Sequence, residues 1–139
     1  EGDVYVVTRG NYGSTAYRFH RINSVTDEVV QVFEDFSLLN FTIQNDTAYM
    51  YHYDYSTGRN QIMTFDCKTE TLITDRFITD DTKLTTPFGI DVNPINGDVY
   101  ITDGKSYLTW GDVLCFNKMG KLKLKLKEVG LNPNKVVFR

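Results

Sequence analysis

NPINGDVYITDGKSYLTWGDVLCFNKMGKLKLKLK, residues 93–127, is a run of short segments rich in Val, Ile, Tyr, Leu and Phe, cut by Asn-Gly, Asp-Gly and Met-Gly. Such runs bounded by turn residues read as antiparallel strands. The same parts recur upstream in the same order. NGDVYIT at 96–102 matches EGDVYVV at 1–7 and NDTAYMY at 45–51, and VLCFN at 113–117 matches FHRIN at 19–23 and IMTFD at 62–66. Each of the second group leads through a polar turn into a further strand, DEVVQVF, TLITDRF or KLKLKLK. A fourth pattern precedes the tyrosine strand, as FTI at 41–43 and FGIDV at 88–92, and returns near the end as NKVVF at 134–138.

Matched positions set the period. Tyr5, Tyr49 and Tyr100 are 44 and 51 residues apart, and Ile43, Ile90 and Val136 are 47 and 46 apart. Four strands per unit at that spacing predict an all-β chain, a β-propeller fragment of about three four-stranded antiparallel blades. No segment carries the sustained 3.6-residue period that a helical solenoid needs. With strands named a to d outward from the axis, residues 1–36 supply b, c and d of one blade. Residues 37–80 and 81–128 supply two full blades, and 132–139 the inner strand of a next one. The chain is thus expected to be one partial propeller domain of twelve strands. Closed propellers have about four to eight blades. The expectation is therefore either a larger propeller of about seven blades, or completion by dimerisation through the open blade flanks, whose apolar faces soluble monomers rarely leave bare.

Composition narrows the function classes. Of 139 residues, 41% are hydrophobic and 24% charged, which suits an ordinary globular core, and no apolar run approaches the roughly 20 residues of a membrane-spanning helix. The net charge of −3 offers no general attraction to phosphate backbones, so no nucleic-acid partner is expected. KLKLKLK at 121–127 alternates, so its leucines share one face of an outermost strand and its lysines the other, where they discourage edge pairing. Cys67 and Cys115 stand in different repeats without metal-ligand spacing and read as structural thiols. His20 and His52 lack a nucleophile motif or a metal-binding partner at helical spacing. Asp80, Asp81 and Asp91 are weighed as cation ligands and set aside. No catalytic residue, metal or cofactor is expected.

Antiparallel geometry places the b–c loops on one end of the blades. These are the longer, aromatic loops: TRGNYGSTAY at 8–17, HYDYSTGRN at 52–60 and TDGKSYLTWGD at 102–112. Tyr12, Tyr53, Tyr55, Tyr107 and Trp110 each offer a flat apolar surface with a polar handle. Arg9, Arg59 and Asp103 lie beside them in sequence, and Asn40 and Asn132 fall near the axis. The nine residues Arg9, Tyr12, Asn40, Tyr53, Tyr55, Arg59, Tyr107, Trp110 and Asn132 form the candidate ligand-binding set, the alternative role for the rings being to seal one blade against the next.

Residues 86–138, from TPFGIDV through NGDVYITD and CFNKMGK to GLNPNKVVF, resemble the YncE-like surface propellers of Bacteroidetes, often labelled surface-layer-like proteins. The stretch QNDTAYMYHYDYSTGRNQIMTFD at 44–66 fits the preceding blade of that pattern. The resemblance implies the C-terminal portion of an exported, lipid-anchored cell-surface propeller. Some relatives capture cobalamin beside an outer-membrane transporter, so it implies a small-molecule, corrinoid or glycan ligand and a transporter partner. The expected function is a non-enzymatic binding or scaffold propeller. A metal-dependent propeller hydrolase or lactonase and a purely structural surface-layer component are the alternatives. The open flanks lead to a first prediction: light scattering on the 139-residue chain should show self-association, and a folded, monodisperse monomer at micromolar concentration would overturn the blade count or the open-flank argument.

Overall fold

The computed structural model describes residues 2–11 and 14–139. The chain is all-β, with no helix among the described residues and three antiparallel sheets of three, four and four strands. It divides into two compact units, residues 1–39 and 40–139.

The first unit holds β1 (Val4–Thr8), β2 (Arg18–Ile22) and β3 (Val29–Phe33), paired in that order. Aromatic rings hold it together: Tyr5 stacks on Phe19 at 5.2 Å, Phe19 meets Phe33 at 5.5 Å, and Phe33 meets Phe36 edge-on at 6.2 Å. Arg21 closes one end through an ion pair to Asp3 at 2.6 Å.

The second unit holds two sheets in simple up-and-down order. β4 (Asn40–Gln44), β5 (Thr47–Tyr53), β6 (Asn60–Asp66) and β7 (Thr71–Thr74) form one. β8 (Pro87–Val92), β9 (Val99–Asp103), β10 (Trp110–Phe116) and β11 (Leu122–Leu131) form the other. Between them, Phe77 meets Tyr49 edge-on at 5.7 Å and Phe116 at 6.3 Å, and the Tyr51 hydroxyl donates to the Phe88 carbonyl at 2.8 Å. Phe65, Ile101, Leu114 and Phe116 are wholly buried, each such side chain contributing roughly 1.5–3 kcal/mol.

One turn chemistry recurs at the hairpins. An Asn or Asp closes a strand, its side-chain oxygen accepts an amide two residues on, and a residue with positive φ reverses the chain. Asn23 accepts from Val25 N and ends in Asp27 at φ 59°, while Asp66 accepts from Lys68 N and ends in Glu70 at φ 56°. Asn93 accepts from Ile95 N and ends in Gly97 at φ 74°. This is the physical content of the recurring strand-closing Asn or Asp in the sequence repeat.

Residues 132–139, expected as the inner strand of a next blade, pair with no strand of this chain. Their donors bond to a side chain instead: Val136 N donates to Asp91 Oδ2 at 2.7 Å and the Lys135 ammonium pairs with Asp91 Oδ1, while Phe138 meets Tyr100 edge-on at 5.2 Å. The lysines of 121–127 are also more than solvated edge charges. β11 is an edge strand of its sheet, and bulges between Gly111 and Val113 and between Cys115 and Phe116 break its register with β10. Lys123 pairs with buried Asp98, and Lys125 reaches buried Asp112 at 3.0 Å.

The C-terminal segment crosses the third sheet at its glycines. A Cβ on Gly111 would lie 2.6 Å from Pro133 Cδ, and one on Gly89 would overlap the Asn134 carbonyl. Because the obstacle at Gly89 is backbone, Gly89→Ala should destabilise the chain by about 1–3 kcal/mol in denaturant unfolding and speed hydrogen exchange at the Val136 amide. Gly2→Ala, which meets nothing within 4 Å, should change neither.

Candidate functional site

The sequence YMYHY at 49–53 lies on β5, and strand alternation puts Tyr49, Tyr51 and Tyr53 on one face. Beyond the strand end, Tyr55 turns back so that its ring meets Tyr53 edge-on at 5.0 Å. Asp54 fixes that turn. Its carboxylate accepts from Ser56 N at 2.8 Å and from the Ser56 and Thr57 hydroxyls at 2.6 Å each, and those hydroxyls hold its carboxyl far below the ordinary range.

The second sheet brings Tyr107 to the same place. Buried Asp103, at the end of β9, accepts from Thr85 N and Thr86 N at 2.8 Å and from Lys105 N at 3.0 Å. Thr86 Oγ1 donates to the Lys105 carbonyl at 2.6 Å, and Tyr107 N donates to the Gly104 carbonyl at 3.0 Å. The loop so tied holds Lys105 at φ 50° and Tyr107 at φ 66°, a left-handed conformation costly for a bulky side chain. Tyr107 then meets Phe88 edge-on at 5.6 Å. Burial raises its phenol well above the ordinary range, and the Tyr55 hydroxyl, then Tyr53 and Tyr51, push the same way. Four tyrosines and Phe88 thus converge from two sheets.

Of the residues expected from sequence, Tyr53, Tyr55 and Tyr107 are brought together. Trp110 opens β10 opposite Leu131 and is 59% exposed. Asn132 follows Leu131 at φ 49°, its buried Oδ1 without a hydrogen-bond partner. Asn40 starts β4, its Oδ1 accepting from Phe41 N at 2.8 Å, and lies across from Tyr51 in the pairing. Arg59 is exposed on the β5–β6 loop. Arg9 belongs to the first unit, where its guanidinium donates to the Leu39 carbonyl at 3.3 Å. Tyr12 lies outside the described residues. Asp103, noted beside the rings, is a structural acceptor. Tyr51 and Phe88 were missed, although the Tyr-x-Tyr-x-Tyr alternation at 49–53 carries the signal for Tyr51.

Among the described residues, no three His, Cys, Asp or Glu side chains come together as a metal cluster. Asp80 accepts from Thr82 N at 2.9 Å and Leu122 N at 2.7 Å, and Asp91 is taken by Lys135 and Val136. No protein-family model matches the chain, and no curated protein matches it.

Asp112, two residues beyond Trp110 on β10, secures the loop from the other side. Lys105 Nζ lies 2.7 Å from Oδ1, Lys125 Nζ 3.0 Å from Oδ2, and Glu128 N donates to Oδ1 at 3.0 Å. Burial raises its carboxyl pKa, but Lys105, the Glu128 amide and Lys125 outweigh burial and hold it at about 2. A carboxyl depressed on folding stabilises the fold above its unfolded value of 3.8, and that contribution is lost as pH falls through about 2. Asp112→Asn should therefore cost about 1–3 kcal/mol near neutral pH. Denaturant unfolding across pH should show the difference from the parent chain shrinking between pH 4 and pH 2.

Proposed function

We propose that the chain is a non-enzymatic binding module whose four-stranded sheets are blades of a β-propeller. Its loop end presents Tyr53, Tyr55, Tyr107 and Trp110 to a small molecule with a flat apolar face and a polar rim, a corrinoid or a glycan. One observation carries this reading. Two separate sheets spend strain and buried hydrogen bonds to bring four phenols and Phe88 to one place, with Tyr55 among them left 56% exposed. A cluster that served packing alone would gain nothing from holding Tyr107 in a left-handed conformation, since an unstrained loop would bury the same ring. Aromatic rings with hydroxyl handles give large contact area at low entropic cost, which suits stacking against a sugar or a corrin plane.

An exported, surface-anchored setting, with an outer-membrane transporter as partner, goes with this proposal through the resemblance of 86–138 to the YncE-like propellers. Open sheet faces, with Leu124, Leu126 and Leu131 exposed on β11, favour self-association or further blades as their cover.

Calorimetry against cobalamin and a panel of neutral oligosaccharides tests the reading. Tyr55→Ala and Trp110→Ala should each cost about 2 kcal/mol or more of binding energy, as desolvated aromatic anchors do. Lys127→Ala, on the exposed end of the lysine run, should cost less than about 0.5 kcal/mol. Equal losses from Lys127→Ala and Trp110→Ala would sink the assignment of this face.

A further inference from the structure

The β5–β6 hairpin also borders a groove of about 750 Å³ within the second unit, the size of a small-molecule site. It exists because β7 is short. β7 pairs only with Thr64–Asp66, which leaves the first half of β6 without a strand on that edge. The segment 75–84 takes that place as irregular chain, tied by Phe77 N to the Ile62 carbonyl at 2.9 Å and by Asn60 Nδ2 to the Leu84 carbonyl at 2.9 Å. Buried Ile62, Phe77 and Leu84 form an apolar floor.

The rim is chemically unbalanced in a specific way. Arg59, Arg76 and Lys83 line the groove, and among the described residues none of their side chains has a hydrogen bond or ion pair. Three aspartates line it too, but Asp54 and Asp80 have their oxygens occupied by Ser56 and Thr57 and by Thr82 and Leu122. Asp75 is the acceptor left open. His52 borders the same groove, and its Nδ1 is buried without a hydrogen-bond partner.

Cations free of protein partners at the rim are available to an anion, yet three carboxylates against three cations leave little net field to attract a polyanion. A single carboxylate suits an arginine fork, which binds it in two parallel hydrogen bonds. The rest of the ligand must offer a hydroxyl to Asp75, since His52 Nδ1 is buried out of a ligand's reach. We infer that this groove binds a monocarboxylated, hydroxyl-rich small molecule of the sugar-acid class. The inference does not rest on the tyrosine face, since Arg76, Lys83, Asp75 and His52 take no part in it.

The test is a titration of the isotope-labelled 139-residue chain with glucuronate, glucose and a sulfated polysaccharide, followed by amide chemical shifts. Glucuronate should give saturable shifts confined to 52–62 and 75–84, with glucose at least about tenfold weaker, the loss expected of one charged hydrogen bond. Arg76→Gln and Lys83→Gln, both on exposed side chains, should each weaken glucuronate about tenfold and keep a dispersed spectrum. If one variant unfolds, the other decides. Tyr55→Ala should leave glucuronate binding unchanged, which separates this site from the tyrosine face. Absence of saturable glucuronate binding, equal affinity for glucose, or tighter binding of the polysaccharide would overturn the inference.

Discussion

The structure depends on giving every amide at a strand end an oxygen to bond. A sheet satisfies its interior donors through the ladder, but the chain that leaves a strand must find acceptors elsewhere or lose the full cost of desolvating its N–H groups. Here the acceptors are aspartate and asparagine side chains, and Asp103 is the central case. By taking the amides of Thr85, Thr86 and Lys105 it joins the chain entering the third sheet to the loop leaving β9. Only with that loop so fixed can Tyr107 remain at positive φ and reach the phenols of the neighbouring sheet.

The same carboxylates explain the behaviour of β11. Buried Asp98 and Asp112 would be costly as isolated charges, because a buried carboxylate needs pairing and hydrogen bonds to stay ionised. Lys123 and Lys125 reach in from the edge strand β11, Lys105 from the loop, and the Glu128 amide supplies a further donor. Lys123 and Lys125, two residues apart, stand on the same strand, whose pairing with β10 is interrupted by two bulges.

Much of this was legible in the sequence, and the failures have identifiable physics. Local signals were enough for the strands: β-branched and aromatic runs between Asn, Asp and Gly turns gave the order of all eleven. That Tyr53, Tyr55 and Tyr107 lie together follows from their place in the aromatic hairpin loops at one end of neighbouring sheets. What the composition of NKVVF at 134–138 could not show is the tie of Val136 N to Asp91, a carboxylate more than forty residues away. The groove was missed for a related reason. TLITDRF reads as one strand through Phe77, but its ladder stops at Thr74, and the cavity exists only where pairing ends.

The recurring Asx turn has a consequence for how such a chain could have arisen. The Asx hairpins from Asn23 to Asp27 and from Asn93 to Gly97 carry their own reversal chemistry within about five residues. A gene segment encoding one such unit can therefore be copied or deleted without disturbing the turns of the others. What cannot be copied so freely are the long-range carboxylate ties, such as Asp80 to the Leu122 amide or Asp91 to the Val136 amide, each of which joins one four-stranded unit to chain beyond it. Duplication would thus preserve the local folding code at once, while the links between successive units diverge at their own pace.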